Sequence, residues 1–156
     1  MINTYYSLIR FIKDIPWKLR QIKFFYQRGK RGWADCDCWA IDSYLISIIL
    51  PMLKELKKNH QGHPGDVTDE EWTNILSEMI AGFEAADRVL EDDYLDTIQP
   101  GWFEEMEKIP DLNNKLSSKV ITKKTMRIHA SMYKKDIKLF KSKMPLFTKY
   151  FFGLWD

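Results

Sequence analysis

Residues 31–45 bring together the side chains of this sequence that are best suited to chemistry. The stretch contains both cysteines of the chain, Cys36 and Cys38, and the carboxylates of Asp35, Asp37 and Asp42. Thiolates and carboxylates are metal ligands, and neighbouring thiols can form a redox pair. Carboxylates also cap helices. Four interpretations are therefore open at this point: a helix cap, a metal site, a redox pair and a partner-binding edge.

A zinc site would have to combine the two cysteines with the loop histidines His60 and His63. If residues 38–59 form one helix, the rise of about 1.5 Å per residue places the two pairs roughly 33 Å apart. This separation argues against a shared metal ion, and we predict no metal site. A disulfide between cysteines one residue apart would be strained and would close almost no chain. We therefore expect reduced thiols.

The three carboxylates of this stretch have different expected roles. Asp35 or Asp37 is well placed to cap the helix that follows, because a side-chain oxygen there meets unpaired backbone amides. Asp42 lies on an apolar stripe of that helix, which predicts that it is partly buried beside an Arg, Lys or hydroxyl partner. The other members of the stripe are Ile46, Ile49 and Leu53.

A second acidic set lies farther along the chain, where Glu84, Asp87 and Glu91 share one helix face. Pairs of helical carboxylates can hold Mg²⁺ for the attack of water on a nucleotide phosphate. The Glu84-x-x-Asp87 spacing resembles half of the pattern of all-α nucleotide pyrophosphohydrolases, but the Glu-rich pair expected on the preceding helix is missing. A solvated acidic face is the favoured interpretation, and Mg²⁺ is a cofactor only under the alternative.

Other catalytic patterns are absent from the sequence. It contains no Gly-rich phosphate loop, no nucleophile elbow and no His-Glu-x-x-His. A cysteine nucleophile needs a histidine partner, and the spacing nominates none. The sequence therefore favours a protein that is not an enzyme and needs no cofactor.

The elements that carry these residues are predicted to be helices, because apolar residues recur at helical spacing almost everywhere. We predict an all-α fold, a single compact domain of five to six helices with no sheet. The main segments are residues 3–14, 16–28, 38–59, 68–92, 118–141 and 146–154, with a shorter one around 102–108. Pro16 and Pro145 are expected to begin helices, and Pro51 to kink one.

The clearest helix start is the capping box Thr68-Asp69-Glu70-Glu71, in which Thr68 and Glu71 can satisfy each other's amides. Val67 and Trp72 add a hydrophobic staple around it. Most other helices show an apolar face that predicts burial, and helical domains this rich in aromatic residues usually bury them. The first two helices also carry interleaved basic residues, which makes them a basic amphipathic arm.

The net charge of +2 conceals a strong partition along the chain. Residues 1–31 carry a net charge of +7, residues 32–111 one of −14 and residues 112–156 one of +9. The basic ends are expected to pack beside the acidic centre and neutralise it. Two alternatives are a basic face that binds nucleic acid and an acidic face that imitates it.

Nothing in the sequence predicts export or a membrane span. The longest apolar stretch, residues 44–53, is far shorter than a bilayer needs, and no early apolar run ends in a cleavage site. The chain is expected to be soluble. Its basic aromatic arm and residues 149–156 could lie on a membrane surface, which is a less favoured alternative.

A set of short segments is distinctive as a group. These segments are Arg31-Gly32-Trp33, Asp37-Cys38-Trp39, Asp42-Ser43-Tyr44-Leu45, Gly62-His63-Pro64, Glu70-Glu71-Trp72, Lys149-Tyr150-Phe151 and Leu154-Trp155-Asp156. Together they resemble a group of small proteins encoded by tailed phages and prophages, to which no catalytic role is assigned. The resemblance implies a phage or prophage origin and a place in the host bacterial cytoplasm, and it carries over no functional residue.

We therefore predict a non-enzymatic phage accessory protein that binds a host or phage macromolecule, most simply a protein. It would regulate host machinery or act against a defence system. The alternatives are an Mg²⁺-dependent nucleotide phosphohydrolase and a minor virion or assembly component. The candidate partner-binding residues are Arg31, Trp33, Asp35, Asp37 and Trp39, and the candidate functional carboxylates are Asp42, Glu84 and Asp87.

Overall fold

The computed structural model describes residues 2–92, 94–98, 100–101 and 123–155, and this part of the chain is all-α without strands. Its elements are α1 (Ile2–Arg31), a 3-10 turn (Asp35–Trp39), α2 (Ile41–Asn59), α3 (Asp69–Glu91), the one-turn α4 (Tyr94–Ile98), α5 (Lys123–Lys149) and a second 3-10 turn (Phe151–Gly153). None of the helices in these ranges is both long and apolar enough to cross a membrane.

The all-α prediction is confirmed, but the described residues form four long helices where five to six helices were predicted for the chain. The described ranges contain four long helices, the single turn of α4 and the two 3-10 turns. Pro16 and Pro145, which were expected to begin helices, lie inside α1 and α5. A proline removes one backbone hydrogen bond, and strong helix formers on both sides can carry the helix through it. The predicted segment at 102–108 lies outside the described residues.

The described residues divide into two compact units, unit 1 (Met1–Tyr44) and unit 2 (Leu45–Asp156). Unit 1 consists of α1, the Asp35–Trp39 turn and the first residues of α2. Unit 2 holds the rest of α2 and the other helices. The single compact domain stays a prediction.

Unit 2 is organised around α3, whose start is confirmed. The Thr68 hydroxyl accepts a hydrogen bond from the Glu71 amide at 3.3 Å, and the Glu71 carboxylate accepts one from the Thr68 amide at 2.8 Å. Beyond this cap, one face of α3 packs against α2 and α5. The buried cluster consists of Ile46, Leu50, Leu53, Trp72, Leu76, Met79, Ile80, Phe83, Ala86 and Tyr150. The apolar periodicity of α3 thus predicts its buried face correctly.

The crossing of α3 and α5 requires a glycine at position 82. A β-carbon there would lie 2.7 Å from the Lys143 Cβ, whereas one at Gly62 would meet no atom within 4 Å. We expect Gly82→Ala to lower the free energy of unfolding by about 1–3 kcal/mol, because the clash outweighs the better helix propensity of alanine. Urea unfolding followed by circular dichroism measures the change. Gly62→Ala is the control, and an equally stable Gly82→Ala variant would contradict the crossing geometry.

Candidate interaction site

The centre of unit 1 is a buried carboxylate, that of Asp37 in the 3-10 turn. The Arg28 guanidinium of α1 binds it with two nitrogens, Nη2 at 2.5 Å from Oδ1 and Nε at 3.0 Å from Oδ2. The Ala34 amide donates to Oδ2 at 2.7 Å. These donors, Arg28 foremost, outweigh burial and lower the pKa of Asp37 to about 2. Asp37 therefore caps the 3-10 turn that precedes α2, and not α2 itself, for which the capping role of Asp35 or Asp37 was predicted.

Asp35 fastens the same turn to α1 from its exposed side. Its carboxylate accepts hydrogen bonds from the Gln27 amide at 2.7 Å and the Lys23 ammonium at 3.0 Å, and a close one from Arg31. The Asp35 backbone amide in turn donates to the Gln27 Oε1 at 3.0 Å. Gln27, Arg31 and Lys23 together hold the pKa of Asp35 well below its usual range. Both aspartates thus fix the turn on one side of α1.

The aromatic candidates of this segment are more open to solvent. The Arg31 guanidinium stacks over the Trp33 ring at 3.8 Å, and its Nε donates to the Trp33 carbonyl at 3.0 Å. Trp39 is 93% exposed. The structure thus gathers all five candidate partner-binding residues in unit 1. It gives Asp35 and Asp37 structural contacts, and leaves Trp39 with the most accessible surface.

The Asp37 contacts predict an unusual titration. In the wild-type chain, the Asp37 carboxyl should titrate with an apparent pKa of about 2, because Arg28 and the Ala34 amide stabilise its ionised form. Substitution of Arg28 by Met should raise this pKa, since burial then acts against the charge with less compensation. Carboxyl-carbon NMR over an acid titration measures both values. An unchanged titration in the Arg28→Met protein would show that the ion pair does not form.

The prediction that Asp42, at the start of α2, is partly buried is wrong. Asp42 is exposed, and its Oδ1 accepts a hydrogen bond from the neighbouring Ser43 amide at 2.9 Å. The apolar stripe that suggested burial becomes buried only from Ile46 onward, where the core of unit 2 begins. A helix periodicity shows which residues share a face, but not how far along the helix that face is covered.

The other two candidate carboxylates, Glu84 and Asp87, lie half-buried on α3 in unit 2. Glu84 forms an ion pair with Lys54 of α2 at 2.7 Å. Among the described residues, no group of three or more His, Cys, Asp and Glu side chains is placed to hold a metal ion. The roles proposed for Asp42, Glu84 and Asp87 stay predictions.

Unit 2 contains a polar network that the sequence did not predict. The Arg88 guanidinium of α3 binds the buried carboxylate of Asp136 on α5 at 2.7 and 3.1 Å, and the buried Tyr94 hydroxyl donates to it at 2.9 Å. Burial and the neighbouring Asp136 raise the pKa of Tyr94, while Arg88 lowers that of Asp136. The partners are 48 and 42 positions apart, so no local pattern could have paired them.

The most unexpected surface is an apolar stripe on α1, which the sequence predicted to be largely buried. Its members are all exposed, with exposed fractions of 61% for Leu19, 64% for Ile22, 80% for Phe25 and 65% for Tyr26. The stripe lies on the side of α1 opposite the 3-10 turn. Arg31 binds Asp35 of that turn, and Ile22 precedes Arg31 by nine positions, which is about two and a half helical turns and places the two residues on opposite sides of the helix. We call these four residues the α1 stripe.

A groove of about 480 Å³ lies on this surface. Its lining residues are Ile22, Phe25, Tyr26, Gly29 and Lys30. The groove overlaps the stripe and is bordered by a lysine, so an apolar ligand with an anionic edge would be complementary to it. The basic amphipathic pattern of the sequence signalled this face, but not its exposure.

Comparison of the chain with protein-family models, with curated proteins and with solved structures finds no match in any of the three.

Proposed function

We propose that this chain is a non-enzymatic accessory protein of a phage or prophage and acts by binding a host or phage macromolecule. The α1 stripe is the binding surface. The observation that carries the proposal is the exposure of four large apolar side chains on one helix face. Regulation of host machinery and interference with a defence system are the roles that such binding would serve.

Burial of apolar area stabilises a complex by about 25 cal/mol per Å² before the entropy of association is subtracted. Large exposed apolar patches on soluble proteins therefore often mark interaction sites, and aromatic residues contribute most of the energy at such sites. Phe25 and Tyr26 on the stripe have this character. The electrostatic character of unit 1 supports the same conclusion, since it carries eight lysines and arginines against four aspartates, a net charge of +4.

A pair of matched variants tests the proposal. Ile22→Asp introduces a charge on the stripe, whereas Gln21→Asp introduces the same charge at an exposed position beside it on α1. Tagged wild-type and variant chains are recovered from bacteria infected with a tailed phage, and the captured proteins are identified by mass spectrometry. We expect a set of proteins captured by the wild type and by Gln21→Asp but lost with Ile22→Asp.

Two results would contradict the proposal. One is a set of captured partners that Ile22→Asp leaves unchanged, in a variant whose circular dichroism matches the wild type. The other is Mg²⁺-dependent hydrolysis of nucleotides by the purified chain that Glu84→Gln or Asp87→Asn abolishes. Mass spectrometry of purified virions separates an accessory protein, which is absent from particles, from a virion component.

A further inference from the structure

Three of the four residues of the α1 stripe, Leu19, Ile22 and Tyr26, follow a heptad repeat that continues to Gly29, and Phe25 lies beside it. Leu19, Ile22, Tyr26 and Gly29 are separated by three, four and three residues. In the sequence, the same alternation of three and four extends upstream. The full series is Tyr5, Leu8, Ile12, Ile15, Leu19, Ile22, Tyr26 and Gly29. Such a repeat of a and d positions is typical of a helix that pairs lengthwise with another helix.

The groove on the stripe has the geometry of a helix-packing hole. Four of its lining residues, Ile22, Phe25, Tyr26 and Gly29, stand at positions i, i+3, i+4 and i+7. In helix pairs, a side chain from the facing helix inserts into a hole formed by four residues at this spacing. Because Gly29 has no side chain, the hole is open at its end toward the C-terminus of α1. The surface is therefore shaped to receive the side chain of a second helix.

The charges beside the stripe specify the kind of helix. Lys18, Lys23 and Lys30 occupy the flanking e and g positions of the repeat, and no carboxylate stands at such a position between residues 17 and 31. Lys23 already pairs with Asp35 at 3.0 Å, so Lys18 and Lys30 are the charges that an added helix would meet. In a pair of helices, these positions lie across from the e and g positions of the partner. Two copies of α1 would each present lysines and no carboxylate at these positions, so self-pairing would lack the opposite charges that an acidic partner offers.

We propose, on the basis of the function proposed above, that the partner of α1 is an acidic amphipathic helix of another protein. Its apolar face covers the α1 stripe, and one of its side chains fills the hole between Ile22 and Gly29. Its Glu or Asp residues flank that face and lie near Lys18 and Lys30. An anionic lipid surface would also attract lysines, but the heptad spacing and the four-residue hole are features of helix pairing.

Synthetic peptides of four heptads test this partner chemistry on the full chain. The acidic peptide carries Ile and Leu at its a and d positions and Glu at e and g, and the control peptide carries Lys at e and g. Fluorescence anisotropy of the labelled peptides measures the affinity. We expect binding of the acidic peptide, a loss of affinity of about tenfold or more when salt rises from about 0.05 to 0.5 M, and no binding of the lysine peptide.

The matched variants locate this binding on the stripe. Ile22→Asp should abolish binding of the acidic peptide, Gln21→Asp should leave its Kd within about twofold, and Lys30→Glu should weaken it several-fold. Failure of the acidic peptide to bind would overturn the inference. Two other results would also overturn it. One is flotation of the chain with phosphatidylglycerol vesicles that Ile22→Asp abolishes, and the other is self-association in the ultracentrifuge that the same substitution abolishes. If cell-derived partners still depended on Ile22 while the peptide failed, the helical partner would be wrong and the proposed function would stand.

Discussion

Trp72→Ala is expected to lower the free energy of unfolding of unit 2 by about 3–5 kcal/mol, the largest effect of any single substitution proposed for this chain. Trp72 is fully buried and packs edge to face against Tyr150, with ring centroids 5.5 Å apart. Its removal would leave a cavity between α3 and the end of α5. Because α3 also packs against α2, the loss should be felt throughout the core of unit 2.

The matched control is the same substitution at an exposed tryptophan. Trp39→Ala removes a side chain that is 93% exposed, and it should change the stability by less than about 0.5 kcal/mol. Trp72→Phe should cost much less than Trp72→Ala, because it keeps a ring against Tyr150 and removes an indole N–H to which the described residues offer no acceptor. Guanidinium unfolding followed at 222 nm measures all three. Equal effects of the two alanine variants would contradict the placement of Trp72.

The second large effect is expected at the Arg88–Asp136–Tyr94 network. Asp136→Asn removes the charge that pairs with Arg88 and weakens the acceptor for the buried Tyr94 hydroxyl, at a cost of about 1–3 kcal/mol near neutral pH. Asp66→Asn is the control, because Asp66 is exposed and lies 3.7 Å from its partner Lys149. Its substitution should cost less than about 0.5 kcal/mol.

The same network predicts a dependence on pH. Since the pKa of Asp136 is lower in the folded chain than in the unfolded one, its contribution to stability is present above the usual aspartate pKa of about 3.9 and lost as the pH falls below it. The difference between wild type and Asp136→Asn should therefore be constant near neutral pH and shrink in acid. A difference that grows as the pH falls would show that the carboxylate is not paired in the folded state.

Local signals predicted the elements of this fold well. The capping box at Thr68 fixes the start of α3, and the apolar periodicity after it gives the buried face that contains Trp72, Leu76 and Met79. Both depend on residues within a few positions of each other, which is the range over which sequence patterns carry structural information. The middle of α1 illustrates the limit, because Pro16 suggested a break that the helix does not make.

Contacts between distant residues could not be predicted in the same way. The pairing of Arg88 with Asp136 depends on how α3 and α5 cross, and that crossing depends on the space left by Gly82. The sequence analysis did not identify Arg28 as the partner of Asp37, because the two residues are nine positions apart and the chain changes direction between them. The sequence shows the residue types that form these contacts, but not the distances and directions between them.

Exposure was the property that the sequence predicted least well. Leu19, Ile22, Phe25 and Tyr26 have the composition of a core face, and amphipathic periodicity is the same whether a face is covered by the chain itself or by a partner. Asp42 shows the converse, since it continues an apolar stripe and is still exposed. Only the structure separates the two cases.

The central claim is that the α1 stripe contacts a partner, and site-specific photo-crosslinking in infected cells tests it most directly. Tyr26 and Trp17 suit a matched pair, because both are aromatic, they are 65% and 61% exposed, and they lie on opposite sides of α1, nine positions apart. A photoreactive phenylalanine analogue replaces each in turn. We predict a discrete protein adduct from position 26 that is absent from position 17. Adducts that are the same at both positions, or none from position 26, would contradict the account.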